Sequence, residues 1–153
     1  LAKRKLYKFL KPKCKKMHIN LIWLRLFFVF GKYQSKRSLI PYLIENIKKR
    51  KKIYLKNPEA INDFIDAQNV ARTIKKIIFK FKKSAILDIG SGYGCKVIDI
   101  KNFIENIRLN KRPILRKYKK NSFIADIKKT YKIVKLKKFK NIEDNLILNY
   151  RNF

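Results

Sequence analysis

The rhythm of apolar and polar positions changes several times along the chain. Residues 1–18, LAKRKLYKFLKPKCKKMH, alternate lysine with scattered apolar side chains and form a basic arm. Pro12 removes an amide donor there and argues against one continuous helix. The run INLIWLRLFFVF, Ile19 to Phe30, is interrupted by Arg25 and is far shorter than the roughly 20 residues a membrane-spanning helix needs. It has no small-residue cleavage site of a signal sequence and predicts a buried strand ended by Gly31. After the basic turn GKYQSKR, the segment SLIPYLIENIKKR reads as a helix, with Ser38 as its cap and Pro41 in its first turn. KKIYLKN reads as a short strand.

The longest helical pattern is NPEAINDFIDAQNVARTIKKIIFKFKK. Glu59, Asp63 and Asp66 lie towards its amino end and lysines towards its carboxyl end, as a helix dipole prefers. Ala67, Val70, Ala71, Ile74, Ile77, Ile78 and Phe81 make its apolar stripe, while Arg72, Lys76, Lys80 and Lys83 make a cationic one. Beyond it, CKVIDI, SFIADI and TYKIVKLKKFK read as strands, NKRPILRKYKKN as a basic connection and residues 141–153 as a tail. The expected domain is a helix over 60–83 packed on a sheet that contains strands 95–100 and 130–138.

Charge changes this picture more than any motif does. There are 41 Lys and Arg against 10 Asp and Glu, a formal net charge of +31, and no acidic residue precedes Glu45. Such a chain repels itself and adheres to polyanions. Its 46% hydrophobic content is too high for a disordered tail, so the combination predicts folding against nucleic acid. Lysine far outnumbers arginine, and Ile, Asn, Phe and Tyr are plentiful, a usage that points to an A/T-biased genome, expected to be mitochondrial or, alternatively, that of a plastid-type organelle. The initial Leu1 suits an unusual start codon or a trimmed end. Cys14, Cys95 and His18 are too few for a four-ligand zinc site, and the two cysteines read as ordinary thiols.

AILDIGSGYG, Ala85 to Gly94, holds three of the four glycines and resembles the cofactor loop of S-adenosylmethionine-dependent methyltransferases. That chemistry needs a strand before the loop, a helix after it and an acidic residue ending the next strand. KIIFKFKKSAILDI instead continues the helical pattern, CKVIDI looks like strand, Asp99 comes early and Asp126 late. The bland alternative is a flexible turn in which the glycines supply positive φ.

A second resemblance covers roughly residues 26–140. KNPEAINDFIDAQNVARTIKK, FKKSAI, GCKVIDI and KTYKIVKLKKF follow one another as do motifs of the KH-domain protein of the small ribosomal subunit, universal small-subunit protein three. The resemblance implies an α+β protein: a basic arm at 1–18, a degenerate type II KH-like unit at 19–56, a small α/β layer domain at 57–140 with helices on one face of a mixed sheet, and a tail at 141–153. Gln34 stands where the second glycine of the KH loop belongs. By this resemblance the chain is a non-enzymatic ribosomal constituent that contacts rRNA, mRNA and neighbouring small-subunit proteins, with no cofactor, no metal, no membrane and no small-molecule substrate. The RNA-facing residues would be Gly31, Lys32, Lys36, Arg37, Arg72, Lys76, Lys80, Lys82, Lys83, Arg112 and Arg116, with Lys82 and Lys83 near the path of incoming mRNA. Another basic organellar ribosomal or RNA-binding protein and a small methyltransferase are the alternatives.

Overall fold

The computed structural model describes residues 1–111, 113–119, 123–135 and 141–152. Helix α1 (Ala2–Lys16) runs unbroken through Pro12, contrary to the sequence expectation. None of its residues is buried, so water can satisfy the Lys8 carbonyl that Pro12 leaves without its helical donor.

The apolar run that follows makes two strands, β1 (Ile22–Leu26) and β2 (Phe28–Phe30). The break between them has a clear cause. The Phe27 amide donates to Ile89 O at 3.2 Å and the next amide, that of Phe28, donates to Asp63 O at 2.9 Å. The strand thereby changes partners at this point. β1 pairs in parallel with β5 (Ala85–Ile89), and β2 pairs in parallel with β4 (Phe64–Asp66). A third pair is antiparallel, between β3 (Ile61–Asn62) and β6 (Cys95–Lys96).

Five further helices pack on both sides of these strands. α2 (Leu39–Lys48), α4 (Val97–Arg108) and α6 (Ile142–Asn152) enclose one core, which includes Leu43, Ile44, Ile100, Ile104 and Leu146. α3 (Ala67–Lys80) and α5 (Lys128–Val134) cover the other, with Val70, Ile77, Leu87, Ile89 and Val134. Strand period two explains the division: in β4, Phe64 belongs to the first core and its neighbour Ile65 to the second. Parallel strands sheathed on two sides are the α/β layered arrangement. The expected α+β protein with a KH-like unit and helices on one face of a mixed sheet is therefore corrected.

Several local expectations change with it. The long helix begins at Ala67, because the Asp66 side chain caps it by accepting the Gln68 amide at 2.9 Å. Before the cap, Ile61–Asn62 and Phe64–Asp66 are strand. The helix ends at Lys80, and β5 does precede the glycines. CKVIDI is strand only at Cys95–Lys96. Val97 opens α4, whose buried Val97, Ile100, Phe103 and Ile104 fall at helical spacing. Thr130 and Val134 are buried on successive turns of α5, where a strand over 130–138 was expected; residues 136–138 lie outside the described residues. KKIYLKN forms no strand, although Ile53 and Leu55 pack half-buried against the first core. SFIADI forms none among its described residues, 123–127.

Because Ile104 is fully buried between helices, Ile104→Ala is expected to cost ~2–5 kcal/mol in urea unfolding. Ile78→Ala, at a side chain 59% exposed on α3, is expected to cost less than ~0.5 kcal/mol.

Candidate ligand cleft at the strand ends

In a layered α/β protein the crevice beyond the carboxyl ends of parallel strands is where ligands bind. Here that crevice is a cleft of about 530 Å³ beside the ends of β4 and β5. Phe64, Ile65 and Ile127 give it apolar walls, and Tyr93, Tyr131 and Lys117 line it as well. The remaining lining is carboxamide-rich, from Asn69, Asn141 and Asn145.

Asn69 is only 4% exposed and lines the cleft, and its backbone carbonyl accepts the Thr73 hydroxyl at 2.7 Å. Its place in the first turn of α3 follows from the Asp66 cap. Asp66 itself is occupied, since its second carboxylate oxygen accepts from Asn149 Nδ2 at 3.4 Å. The Tyr93 hydroxyl donates to Asn141 Oδ1 at 3.4 Å, while Lys117 Nζ sits 5.2 Å from the Tyr93 ring centroid and donates to Asn141 Oδ1 and Glu143 Oε2. Burial pushes the Tyr93 phenol up to about 12, so it is a neutral hydrogen-bonding group at neutral pH rather than a base. Burial likewise pushes the nearby Cys95 thiol up to about 12, which keeps it from acting as a nucleophile. The cleft offers neutral donors and acceptors between aromatic faces, a combination suited to a polyhydroxylated ligand.

The glycine loop at residues 90–94 borders this cleft and is fixed by one carboxylate. Asp63 is fully buried; its Oδ1 accepts the Ser91 amide at 2.7 Å and the Ser91 hydroxyl at 2.6 Å, and its Oδ2 accepts the amides of Gly92 at 2.9 Å and Ala125 at 3.1 Å. Burial raises the Asp63 carboxyl above its ordinary value, opposed by these donors from Ser91, Ala125 and Gly92. The Gly94 amide is also taken, by Tyr118 O at 2.8 Å. At the start of α4, the Val97 and Ile98 amides donate to Ala60 O and Pro58 O.

A dinucleotide's pyrophosphate needs free amides at a glycine loop or helix start, and space left by the missing side chains. Neither is present here. A Cβ on Gly92 would lie 2.4 Å from Ile127 Cδ1, and one on Gly90 would lie 2.5 Å from Ala125 Cβ and Asp63 Oδ2. The space is filled by the chain's own atoms, and the amides are taken already, by the Asp63 carboxylate or by backbone carbonyls. The residues of this loop do not fit a dinucleotide, nor the S-adenosylmethionine role weighed from the sequence, although the strand and helix that role requires do flank the loop.

The residues singled out from the sequence lie elsewhere. Gly31 follows β2 and packs against Ala67, where an added Cβ would come 3.0 Å from Ala67 Cβ. Lys32, Lys36 and Arg37 are exposed in the turn before α2, where Gln34 Nε2 donates to Val29 O and closes the turn. Arg72 and Lys80 are exposed on α3, Lys76 is half-buried, and Lys82 and Lys83 are exposed just beyond it. Arg116 stacks over the Tyr118 ring at 5.3 Å. Arg112 lies outside the described residues. None of the described ones lines the cleft. The residues that do were passed over, because isolated asparagines and tyrosines carry no spacing signal. Asp63 was read as a helix-dipole acid when its signal was a carboxylate set among apolar neighbours, NDFI.

Comparison with known proteins gives the same architecture. The family model described as "NAD dependent epimerase/dehydratase family" matches residues 1–90. No curated protein sequence matches. Among solved structures, UDP-glucose 4-epimerase of Thermotoga maritima with UDP-glucose superimposes with a TM-score of 0.81 at 18% identity, covering 98% of this chain and 51% of that one. The UDP-N-acetylglucosamine 4-epimerase of Bacillus cereus gives 0.75 at 20%, covering 91% and 47%. The dTDP-glucose 4,6-dehydratase of Bacillus anthracis with NAD gives 0.74 at 17%, covering 90% and 46%. The chain thus spans about half the length of the solved proteins it matches. The fold is the Rossmann-like epimerase/dehydratase fold with parallel sheets.

These findings overturn the ribosomal resemblance and what it implied. The family match and the structural neighbours are epimerases and dehydratases, so the reading as a non-enzymatic ribosomal constituent with rRNA and mRNA partners and no small-molecule substrate falls. The methyltransferase and the other RNA-binding alternatives gain no support from them either.

Gly92 has φ +82°, and its added Cβ would strike Ile127, so Gly92→Ala is expected to destabilise the fold by ~2–3 kcal/mol. Asp63→Asn, which turns amide donors against an amide donor, is expected to cost a similar ~2–4 kcal/mol. Urea midpoints measure both. A phosphate-cradling loop would give the opposite pattern, with stability held within ~0.5 kcal/mol and NAD binding lost.

Proposed function

The chain belongs to the NAD-dependent epimerase/dehydratase family, and from that we propose that it binds a nucleotide sugar and forms the substrate-recognising part of an enzyme of that kind. The observation that carries the reading is the cleft at the carboxyl ends of β4 and β5, where neutral carboxamides and two tyrosines converge. Asn69, at the cleft wall, offers its carboxamide to a sugar hydroxyl. Tyr93 and Tyr131 offer ring faces to a pyranose or a base. Lys117 brings positive charge to the rim, tempered by Glu143.

The dinucleotide is not assigned to the 91–94 loop, because its amides are engaged by Asp63, the Ser91 hydroxyl and Tyr118 O. When bound in an enzyme of this kind, NAD supplies hydride transfer. The contribution proposed for these residues is to hold the sugar and orient it.

Isothermal titration with UDP-glucose tests the proposal. At high salt, which removes non-specific adhesion to a chain of net charge +31, saturable one-to-one binding is expected. Asn69→Leu and Tyr93→Ala should each weaken it at least ~10-fold, about 1.4 kcal/mol, with Ile78→Ala unchanged. Binding that inorganic pyrophosphate displaces equally well, or that ignores both cleft variants, would sink the reading.

A further inference from the structure

The carboxyl ends of α2 and α4 meet at a second pocket, of about 420 Å³, that shares no residue with the cleft. Ile47 and Ile53 are its apolar part, and Arg50, Lys51, Glu105 and Arg108 its polar part. Both helices are closed by the same backbone turn. Past α2, Arg50 N donates to Ile47 O at 3.2 Å and Lys51 N to Asn46 O at 2.9 Å. Past α4, Asn110 N donates to Ile107 O and Lys111 N to Asn106 O, each at 3.0 Å. One left-handed residue reverses the chain in each turn, Arg50 at φ +52° and Asn110 at φ +54°. The reversal at Arg50 carries Lys51 and Ile53 back beside Arg108. It also engages terminal carbonyls whose partial negative charge would otherwise repel an anion.

The charge gathered here is unbalanced. Glu105, the one acid of the pocket, is paired with Lys101 at 2.6 Å, and Glu45 on α2 is paired with Lys49 at 2.6 Å. Among the described residues neither Arg50 nor Arg108 has a side-chain partner, although Arg108 is half-buried. A partly desolvated guanidinium without an acid is unfavourable until an anion meets it. The chain draws most of its cations from lysine, yet two arginines converge on this pocket. Two planar forks fit a tetrahedral oxyanion through paired hydrogen bonds, which a lysine ammonium cannot do. We propose that the pocket between the ends of α2 and α4 binds the phosphoryl group of a small soluble ligand, held by Arg50 and Arg108 with Lys51 as a third cation. A nucleic-acid backbone instead follows an extended cationic groove, whereas this pocket is short and closed by two helix ends. The site is independent of whatever the cleft binds.

Inorganic phosphate at high salt is the probe, since salt removes diffuse attraction to the net charge of +31. Amide chemical shifts over residues 47–53 and 105–111 should move together to saturation, with one-to-one stoichiometry. Arg108→Gln and Arg50→Gly should each weaken binding at least ~10-fold, while Arg72→Gln, at an exposed cation on α3, should leave it unchanged. Arg108→Lys keeps the charge without the fork and should also bind more weakly than the parent. Glycine suits the φ of +52° at residue 50, so the thermal midpoint of Arg50→Gly should equal or exceed that of the parent. Its loss of binding then reports the missing guanidinium rather than a missing fold. No saturable binding, shifts spread evenly over the exposed lysines, or parent-like affinity in Arg108→Gln would overturn the inference. Displacement of phosphate by a short single-stranded RNA at the same salt would overturn it too, by giving the pocket to nucleic-acid backbone.

Discussion

The fold is organised around the carboxylate of Asp63. Its backbone carbonyl receives the Phe28 amide at the point where the strand passes from β5 to β4, and its side chain gathers the amides of Ser91, Gly92 and Ala125. One residue thereby joins both parallel pairs to the loop after β5 and to the segment that leads into α5. A fully buried acid is tolerated only when its oxygens are satisfied, and each oxygen here has two donors. Removing one partner would leave a desolvated charge facing apolar side chains. That penalty exceeds the net worth of any one of the bonds, which is what makes the arrangement rigid.

The neighbouring strand carries a second acid with a parallel role. Asp88 is 6% exposed on β5 and receives both Nε and Nη2 of Arg25, its register partner on β1. Its Oδ2 also accepts the Asp126 amide at 3.3 Å. The two carboxylates hold opposite ends of one short segment, Ala125 by Asp63 and Asp126 by Asp88, and so set the position of Ile127 at the cleft wall. Ile127, although it lies outside any strand, is thereby tied to two strand registers, a condition under which a wall of a binding site keeps its geometry.

Periodicity made parts of this legible. The strand-like run at 19–30, the helix of α2 with Ser38 before it, and the apolar stripe of α3 are visible in the residues alone. What escaped were short strands whose alternation is too brief to register. β3 and β4 together occupy Ile61–Asp66, and their acids looked like a helix amino terminus until the Asp66 cap showed where the helix begins. VIDI is a short β-branched run that imitates a strand, whereas Val97, Ile100, Phe103 and Ile104 declare the helix only over a longer window. The cleft was illegible for a different reason: Asn69, Tyr93, Lys117 and Asn145 come from distant segments, and only tertiary packing brings them together.

Net charge misled most, and the reason is general. A charge of +31 governs solubility and long-range attraction to anions, but it constrains fold weakly, because a lysine on a solvated helix face leaves the packing beneath it unchanged. α3 illustrates this. Arg72 and Lys80 are exposed while Val70, Thr73 and Ile77 are buried on the same helix. Replacing such cations by neutral residues would alter what the chain attracts, not how α3 lies on the strands. Composition is informative about partners only after architecture has shown where the charge sits. Here α1, with no acid and no buried residue, carries part of it on a solvated helix that forms no wall of the cleft.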